Sequence, residues 1–185
     1  NMQSPTYFLI KHIDGQLCGD ETDSGLIPTT SVEDHNYTQR LANVIEVPLG
    51  YKGIISKGDR VVVHHNTFRI QYNNQGLPLP SKHHIKDDLF YLEEELIYMV
   101  IKKDGSKEAV FPFCFITPIV DDVKFEGVKE VDNKGVLMYP NHHLVEQGFV
   151  EGDVVYTKKD SEYEFNLFDE KLFMMKSNRV LCKEL

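Results

Sequence analysis

Four short sequence blocks recur in the same order in both halves of the chain, and this recurrence constrains the fold more than any other feature. The clearest pair is residues 57–62 and 151–156, each a Gly-Asp turn followed by apolar, mostly β-branched residues. The other matched blocks are residues 5–9 with 112–116, 43–48 with 135–140, and 88–99 with 171–182. Two copies are too few for a solenoid, which needs three or more. The sequence therefore predicts an internal duplication and two tandem small domains.

The segments between the turn signals are typical of β-strands. Residues 60–63 are rich in valine, and residues 68–72 alternate apolar and polar side chains, as a half-buried strand does. The acids at 93–95 could begin a helix, but their neighbours favour strand and turn. Closing a sheet on itself removes exposed edges. We therefore expect an all-β fold of two partly open β-barrels, over residues 1–104 and 105–185.

A long polar segment separates the first two predicted strands of the first half. Residues 18–37 carry five acids, and the predicted mobile loop covers about residues 18–42. Gly25, Leu26, Ile27 and Pro28 form its apolar centre. Such a composition cannot bury enough surface to fold alone, and loops of this length are usually functional or disordered. The centre therefore indicates a tethered peptide that becomes ordered on a partner, or else a loop anchor that packs on its own domain.

The second half differs at the matching place. Its connection, predicted over residues 121–134, is shorter and has no glycine followed by two apolar residues. If the loop is the functional element, the chain carries one of them.

Charge and cysteine content narrow the possible partners and setting. The net charge of −9 argues against nucleic-acid binding and against anionic membranes. No run of apolar residues approaches a transmembrane length, and the first residues lack a signal-peptide pattern. The cysteines at 18, 114 and 182 are sparse and odd in number, which favours free thiols in a reducing compartment. We expect a cytoplasmic protein.

The sequence contains no pattern that points to catalysis. A phosphate-binding glycine loop is absent, and Cys18 and Ser24 have no evident partner base. The histidine pairs at 64–65, 83–84 and 142–143 suggest metal at first sight, but neighbours on a strand point to opposite faces. We therefore expect a protein that is not an enzyme, with no catalytic residue, no metal and no cofactor.

The recurring blocks resemble the chaperonin-10 family, the GroES-type co-chaperonins. The resemblance rests on KGDRVVV at residues 57–63 and on the closing stretch at 88–100. In that family a Val-Gly-Asp turn opens a strand, and a stretch of apolar and charged residues closes the barrel. Residues 19–27 are most similar to the mobile loop of phage-encoded co-chaperonins, where acids precede Ser-Gly-Leu-Ile. The chain departs from the family at Pro28, where a third apolar residue is usual.

The resemblance implies two GroES-like barrels in tandem, with Gly25, Leu26, Ile27 and Pro28 in the chaperonin-binding loop. It implies a chaperonin-60 (GroEL-type) ring and substrate proteins as partners, and a homo-oligomeric ring of this chain. Such a protein caps the chaperonin and encloses a folding chamber without catalysis of its own.

Three other functions fit part of the pattern. The first is a non-enzymatic oligomeric structural or assembly protein, of phage origin, that reuses the barrel. The second is the catalytic domain of zinc-dependent alcohol dehydrogenases, which shares this barrel but requires a dinucleotide domain that the chain is too short to hold. The third is an SH3- or OB-like nucleic-acid module, which the acidic balance disfavours.

Overall fold

A computed structural model describes residues 2–13, 40–123, 127–159, 163–167 and 170–185. The chain divides into two compact units, Asn1–Ser106 and Lys107–Leu185. The boundary lies two residues beyond the one predicted from the sequence. Almost all regular structure is β-strand, so the all-β prediction is confirmed.

Antiparallel strands build the first unit. They are β1 (Phe8–His12), β2 (Leu41–Glu46), β3 (Arg60–Val63), β4 (Gln71–Tyr72), β5 (Pro78–Leu79), β6 (His84–Lys86), β7 (Leu89–Leu92) and β8 (Ile97–Ile101). Six of them form one sheet in the order β6-β7-β1-β2-β3-β8, while β4 and β5 form a separate hairpin. The acids that could have begun a helix lie in and next to a single 3-10 turn, Glu94–Leu96.

The second unit repeats this arrangement. Its strands are β9 (Lys107–Ala109), β10 (Phe113–Val123), β11 (Gly127–Tyr139), β12 (Val154–Thr157), β13 (Tyr163–Leu167), β14 (Glu170–Lys176) and β15 (Val180–Lys183). Its sheet has the order β13-β14-β10-β11-β12-β15, which matches the order of the six strands given for the first unit. A 3-10 turn, Ser177–Arg179, precedes β15 just as Glu94–Leu96 precedes β8.

Strand pairing corrects two of the four sequence matches. Phe8 lies opposite Leu92, and Cys114 lies opposite Met175. Leu92 and Met175 both stand two residues before a 3-10 turn, so Phe8 corresponds to Cys114. The match of residues 5–9 with 112–116 is therefore wrong by one residue, and so is that of 43–48 with 135–140. Shared proline and apolar residues produced the false match, although a slip of one residue exchanges the two faces of a strand.

The sheets are open. Among the described residues, β6 at one edge of the first sheet pairs only with β7, and β13 and β15 lie at opposite edges of the second sheet and do not pair with each other. The closure expected of two barrels therefore stays a prediction.

Each unit has its own apolar core. In the first unit the largest fully buried side chains include Phe8, Phe68, Phe90 and Met99. In the second, Cys114, Ile116, Leu137, Val155 and Met175 pack with Leu144. Leu144 comes from α1 (His142–Glu146), a short helix that the sequence reading missed and that Asn141 caps by accepting the Leu144 N–H. No helix of the described part of the chain has the length and apolar character needed to cross a membrane.

The Gly-Asp turns of the two units have the same hydrogen bonds. Gly58 and Gly152 have φ of 86° and 92°, which favours glycine. The N–H of Gly58 donates to the carbonyl of Val44, and that of Gly152 to the carbonyl of Leu137, both at 2.8 Å. The predicted structural role of these turns is confirmed.

In both units an aspartate carboxylate follows this glycine and accepts from a backbone N–H and from a lysine. Asp59 accepts the N–H of Ser56 at 2.8 Å and the ammonium of Lys102 at 2.7 Å. Asp153 accepts the N–H of Val150 and the ammonium of Lys183, both at 2.9 Å. The same bonding pattern thus holds the β2–β3 connection in one unit and the β11–β12 connection in the other.

Two further local predictions were wrong. Within residues 68–72 only Gln71 and Tyr72 belong to a strand, because the chain still turns at Arg69, whose N–H donates to the carbonyl of Asn66.

The loop predicted over residues 121–134 is mostly strand, since β10 continues to Val123 and β11 begins at Gly127. Valines recur through that stretch, and their β-branched side chains favour the extended backbone.

Candidate functional site at the stem of the long loop

The predicted binding residues Gly25, Leu26, Ile27 and Pro28 lie outside the described residues. The structure instead describes the two chain ends that flank the segment 14–39, which we call the loop stem and define as residues 11–13 and 40–43. Strands β1 and β2 are paired there, with Lys11 opposite Asn43 and His12 opposite Ala42. The whole segment therefore leaves and re-enters the sheet at one place.

Buried contacts hold the loop stem. His12 is 6% exposed and packs edge-on against Phe68, with ring centroids 4.7 Å apart. Phe68 in turn packs edge-on against Phe90 at 4.9 Å. Arg40 is equally buried, and its carbonyl accepts the N–H of Val63 at 2.8 Å. Tertiary packing thus fixes both ends of the segment.

The second unit lacks such an insertion. Its β10–β11 pair corresponds to β1–β2 and remains paired, through two register shifts, until Val123 lies opposite Gly127. Three residues connect these strands, whereas 26 residues separate Ile13 from Arg40. Of the two units, only the first carries a long segment at this position of the fold.

His64 follows Val63, whose N–H bonds to Arg40 of the loop stem, and other histidines lie close to His64. His64 and His65 stack with ring centroids 4.1 Å apart, and Nδ1 of His64 accepts the N–H of Asn66 at 3.1 Å. His83 is 3% exposed and packs on Tyr91 at 5.5 Å. Among the described residues, Nδ1 of His83 has no hydrogen-bond partner. The pair at 64–65 therefore lies in a turn and stacks, unlike the opposed strand residues assumed from the sequence.

Burial and neighbouring positive charges disfavour protonation of these rings. Burial lowers the pKa of His64 below 6.5, and the positive charges of Arg40 and Lys82 lower it further. Burial also lowers the pKa of His83, although Glu93 partly opposes that shift. Both rings are therefore held neutral near neutral pH.

We expect the stability of the first unit to fall on acidification from about pH 7.5 to about pH 5.5. The unfolded histidines bind protons near pH 6.5, whereas the pKa values of His64 and His83 are lower in the fold. The contribution of these two groups is therefore fully present above pH 6.5 and is lost as pH falls through the folded pKa. Urea unfolding at the two pH values measures this loss.

The matched variants are His64→Gln/His83→Gln and, on the exposed face of α1, His142→Gln/His143→Gln. The first pair should reduce the acid-induced loss of stability, and the second should leave it unchanged. An equal loss in wild type and both variants would contradict the assignment to His64 and His83.

The other metal-binding and nucleophilic side chains of the described residues do not come together in a site. Within the described residues, no group of three or more His, Cys, Asp or Glu side chains could hold a metal ion. Burial raises the pKa of the Cys114 thiol to about 12, so this thiol is a poor nucleophile. Cys182 is exposed on β15, and Cys18 lies outside the described residues.

Sequence reasoning missed the residues around the loop stem. His12, Arg40 and Phe68 are far apart in the sequence and meet only through strand pairing. The one sequence signal for this region is the absence of Asp and Glu from residues 64–86.

Comparison with known proteins finds no family whose profile matches this chain and no similar curated protein. The resemblance to the chaperonin-10 family therefore rests on the motifs quoted above.

Proposed function

We propose that this chain is a cytoplasmic co-chaperonin that caps a chaperonin-60 (GroEL-type) ring and encloses a chamber for substrate proteins. One observation carries the proposal: a 26-residue acidic segment with a Gly-Leu-Ile-Pro centre starts and ends at a paired, buried stem. Only one of two units with the same strand order carries it. In this proposal the chain performs no catalysis and forms a homo-oligomeric ring.

The binding energies are consistent with a loop that binds weakly on its own and a ring of loops that binds tightly. Burying Leu26 and Ile27 in an apolar groove contributes roughly 1.5–3 kcal/mol each. Ordering a disordered segment costs roughly 2–5 kcal/mol, so one loop alone binds weakly. Loops on one ring bind intramolecularly after the first, which raises the overall affinity by about two to four orders of magnitude.

Two features lower the ordering cost of each loop. Pro28 restricts the unbound chain, which favours binding where its bound φ suits proline. The packing of His12 and Arg40 already orders the loop stem, so binding does not have to order these flanking residues. Weak individual contacts also permit release when the chaperonin changes conformation.

We expect Leu26→Asp/Ile27→Asp to reduce capture by a chaperonin by about tenfold or more, because charged side chains cannot enter an apolar groove. Pull-down on immobilised chaperonin with nucleotide present measures the captured fraction. Val32→Asp, in the same segment but outside the apolar centre, is the control and should bind like wild type.

The oligomeric state of each variant is measured in parallel by light scattering. Equal capture of wild type and the double variant would reject the loop mechanism. If deletion of residues 18–37 left both the oligomer and its cellular role intact, the structural or assembly protein would replace the co-chaperonin.

A further inference from the structure

An apolar groove lies beside the β4–β5 hairpin. Its volume is about 310 Å³. Phe68 and Phe90, both 1% exposed, line it together with Ile70, Pro78, Leu79 and Pro80. This volume is at the lower end of the range for ligand sites, roughly 300–1,000 Å³, and has room for one or two apolar side chains.

The hairpin beside the groove exposes more apolar surface than its own folding requires. Its strands are two residues long, and Tyr72 and Leu79 are 44% and 45% exposed. Local polar contacts hold its turn, where Oδ1 of Asn73 accepts the N–H groups of Gln75 and Leu77, both at 2.9 Å. Apolar side chains clustered on a surface in this way mark an interaction site.

The charge of this region is opposite to that of the remaining chain. Residues 64–86 contain no Asp or Glu and three fixed positive charges, those of Arg69, Lys82 and Lys86. Since the whole chain carries −9 and this stretch carries +3, the remainder carries −12. Lys82 is exposed and follows Ser81, which lines the groove, and His84 also lines it.

We infer that this groove binds an acidic segment of a partner polypeptide that packs one or two apolar side chains against Ile70, Leu79 and the flanking prolines. The apolar walls take the inserted side chains, and the carboxylates that flank them pair with Lys82, which follows the groove-lining Ser81. Such a charge arrangement speeds association and selects against basic partners. Nucleic acid is a less suitable partner. The three fixed positive charges of residues 64–86 are outweighed by the net charge of −12 on the rest of the chain, which repels phosphates.

The test uses the full chain and a short fluorescein-labelled peptide with a central Leu-Phe pair flanked by Asp and Glu. We expect saturable binding by fluorescence anisotropy that weakens as salt is added. Leu79→Ser should raise the dissociation constant by about tenfold, because part of the apolar contact is lost. Leu77→Ser is the matched control, since it lies on the same hairpin outside the groove lining, and should bind like wild type.

Charge is tested separately with Lys82→Glu, which should weaken binding, against Lys52→Glu, an exposed lysine outside the stretch, which should not. Two control peptides carry Ala-Ala at the centre or Lys in the flanks, and neither should bind. The proposal is overturned if Leu79→Ser binds like wild type, if the lysine-flanked peptide binds as well, or if a labelled oligonucleotide binds instead. Because residues 18–37 are unchanged throughout, failure here leaves the chaperonin pull-down as an independent result.

Discussion

Replacing Phe90 by alanine is expected to destabilise the first unit by about 4 kcal/mol, roughly a thousandfold in its folding equilibrium. Phe90 is 1% exposed, pairs across the sheet with Ile10, and packs edge-on against Phe68 at 4.9 Å. Phe68 also packs on His12, so Phe90→Ala removes a packing partner of the ring that supports the loop stem. We expect faster amide exchange in β1 and β7, measured by hydrogen–deuterium exchange and mass spectrometry.

The second unit supplies the control for this substitution. Phe173 occupies the corresponding strand position, opposite Ile116, but is only partly buried, with the Lys171 ammonium 5.3 Å from its ring centre. Phe173→Ala should cost about 2 kcal/mol or less and leave exchange in the first unit unchanged. If Phe90→Ala and Phe173→Ala reduced the free energy of unfolding by equal amounts, the degree of burial of these side chains would not determine the cost of replacing them.

Asp59→Ala is expected to cost the first unit about 3 kcal/mol. The Asp59 side chain is 5% exposed, and its removal leaves the Ser56 N–H and the Lys102 ammonium without the carboxylate that they share. The corresponding Asp153 is more exposed, at 17%, so water can replace its carboxylate more readily and Asp153→Ala should cost less. Urea unfolding, with exchange used to assign the loss to one unit, measures the difference.

Two further variants separate the contribution of the turn hydrogen bond to stability from that of the ion pair. Asp59→Asn keeps an acceptor for the Ser56 N–H and should recover part of the loss. Lys102→Met in the Asp59→Ala background removes the uncompensated charge and should also recover part of it. If Asp59→Ala unfolds at the same urea concentration as wild type, this buried pair does not stabilise the turn.

Local patterns were sufficient for part of the fold. The Gly-Asp turns at 58–59 and 152–153 were predicted because glycine adopts positive φ and aspartate bonds nearby backbone. The all-β class followed from short alternating and β-branched segments. Both inferences depend on residues close together in the chain, and local preferences are the part of folding that a single sequence displays directly.

The register of strand pairing, by contrast, could not be predicted from local patterns. The sequence matched Phe8 with Phe115, whereas pairing with β7 and β14 matches Phe8 with Cys114. The stretch 121–134 was predicted to be a connection between strands, and eight of its fourteen residues are charged, yet most of it pairs as strand. A ribbon of paired backbone tolerates charged side chains on both faces, so polarity alone does not distinguish it from a loop.

By itself, then, the sequence determined the duplication, the strand class and the chemistry of the acidic segment with its Leu-Ile centre, because composition and short-range periodicity express these directly. Tertiary structure alone decided which residues correspond, how His12 and Arg40 anchor that segment, and how Phe68, Leu79 and Phe90 enclose a groove. These features arise from hydrogen bonds and packing between strands distant in the chain, whose free energy no local pattern contains.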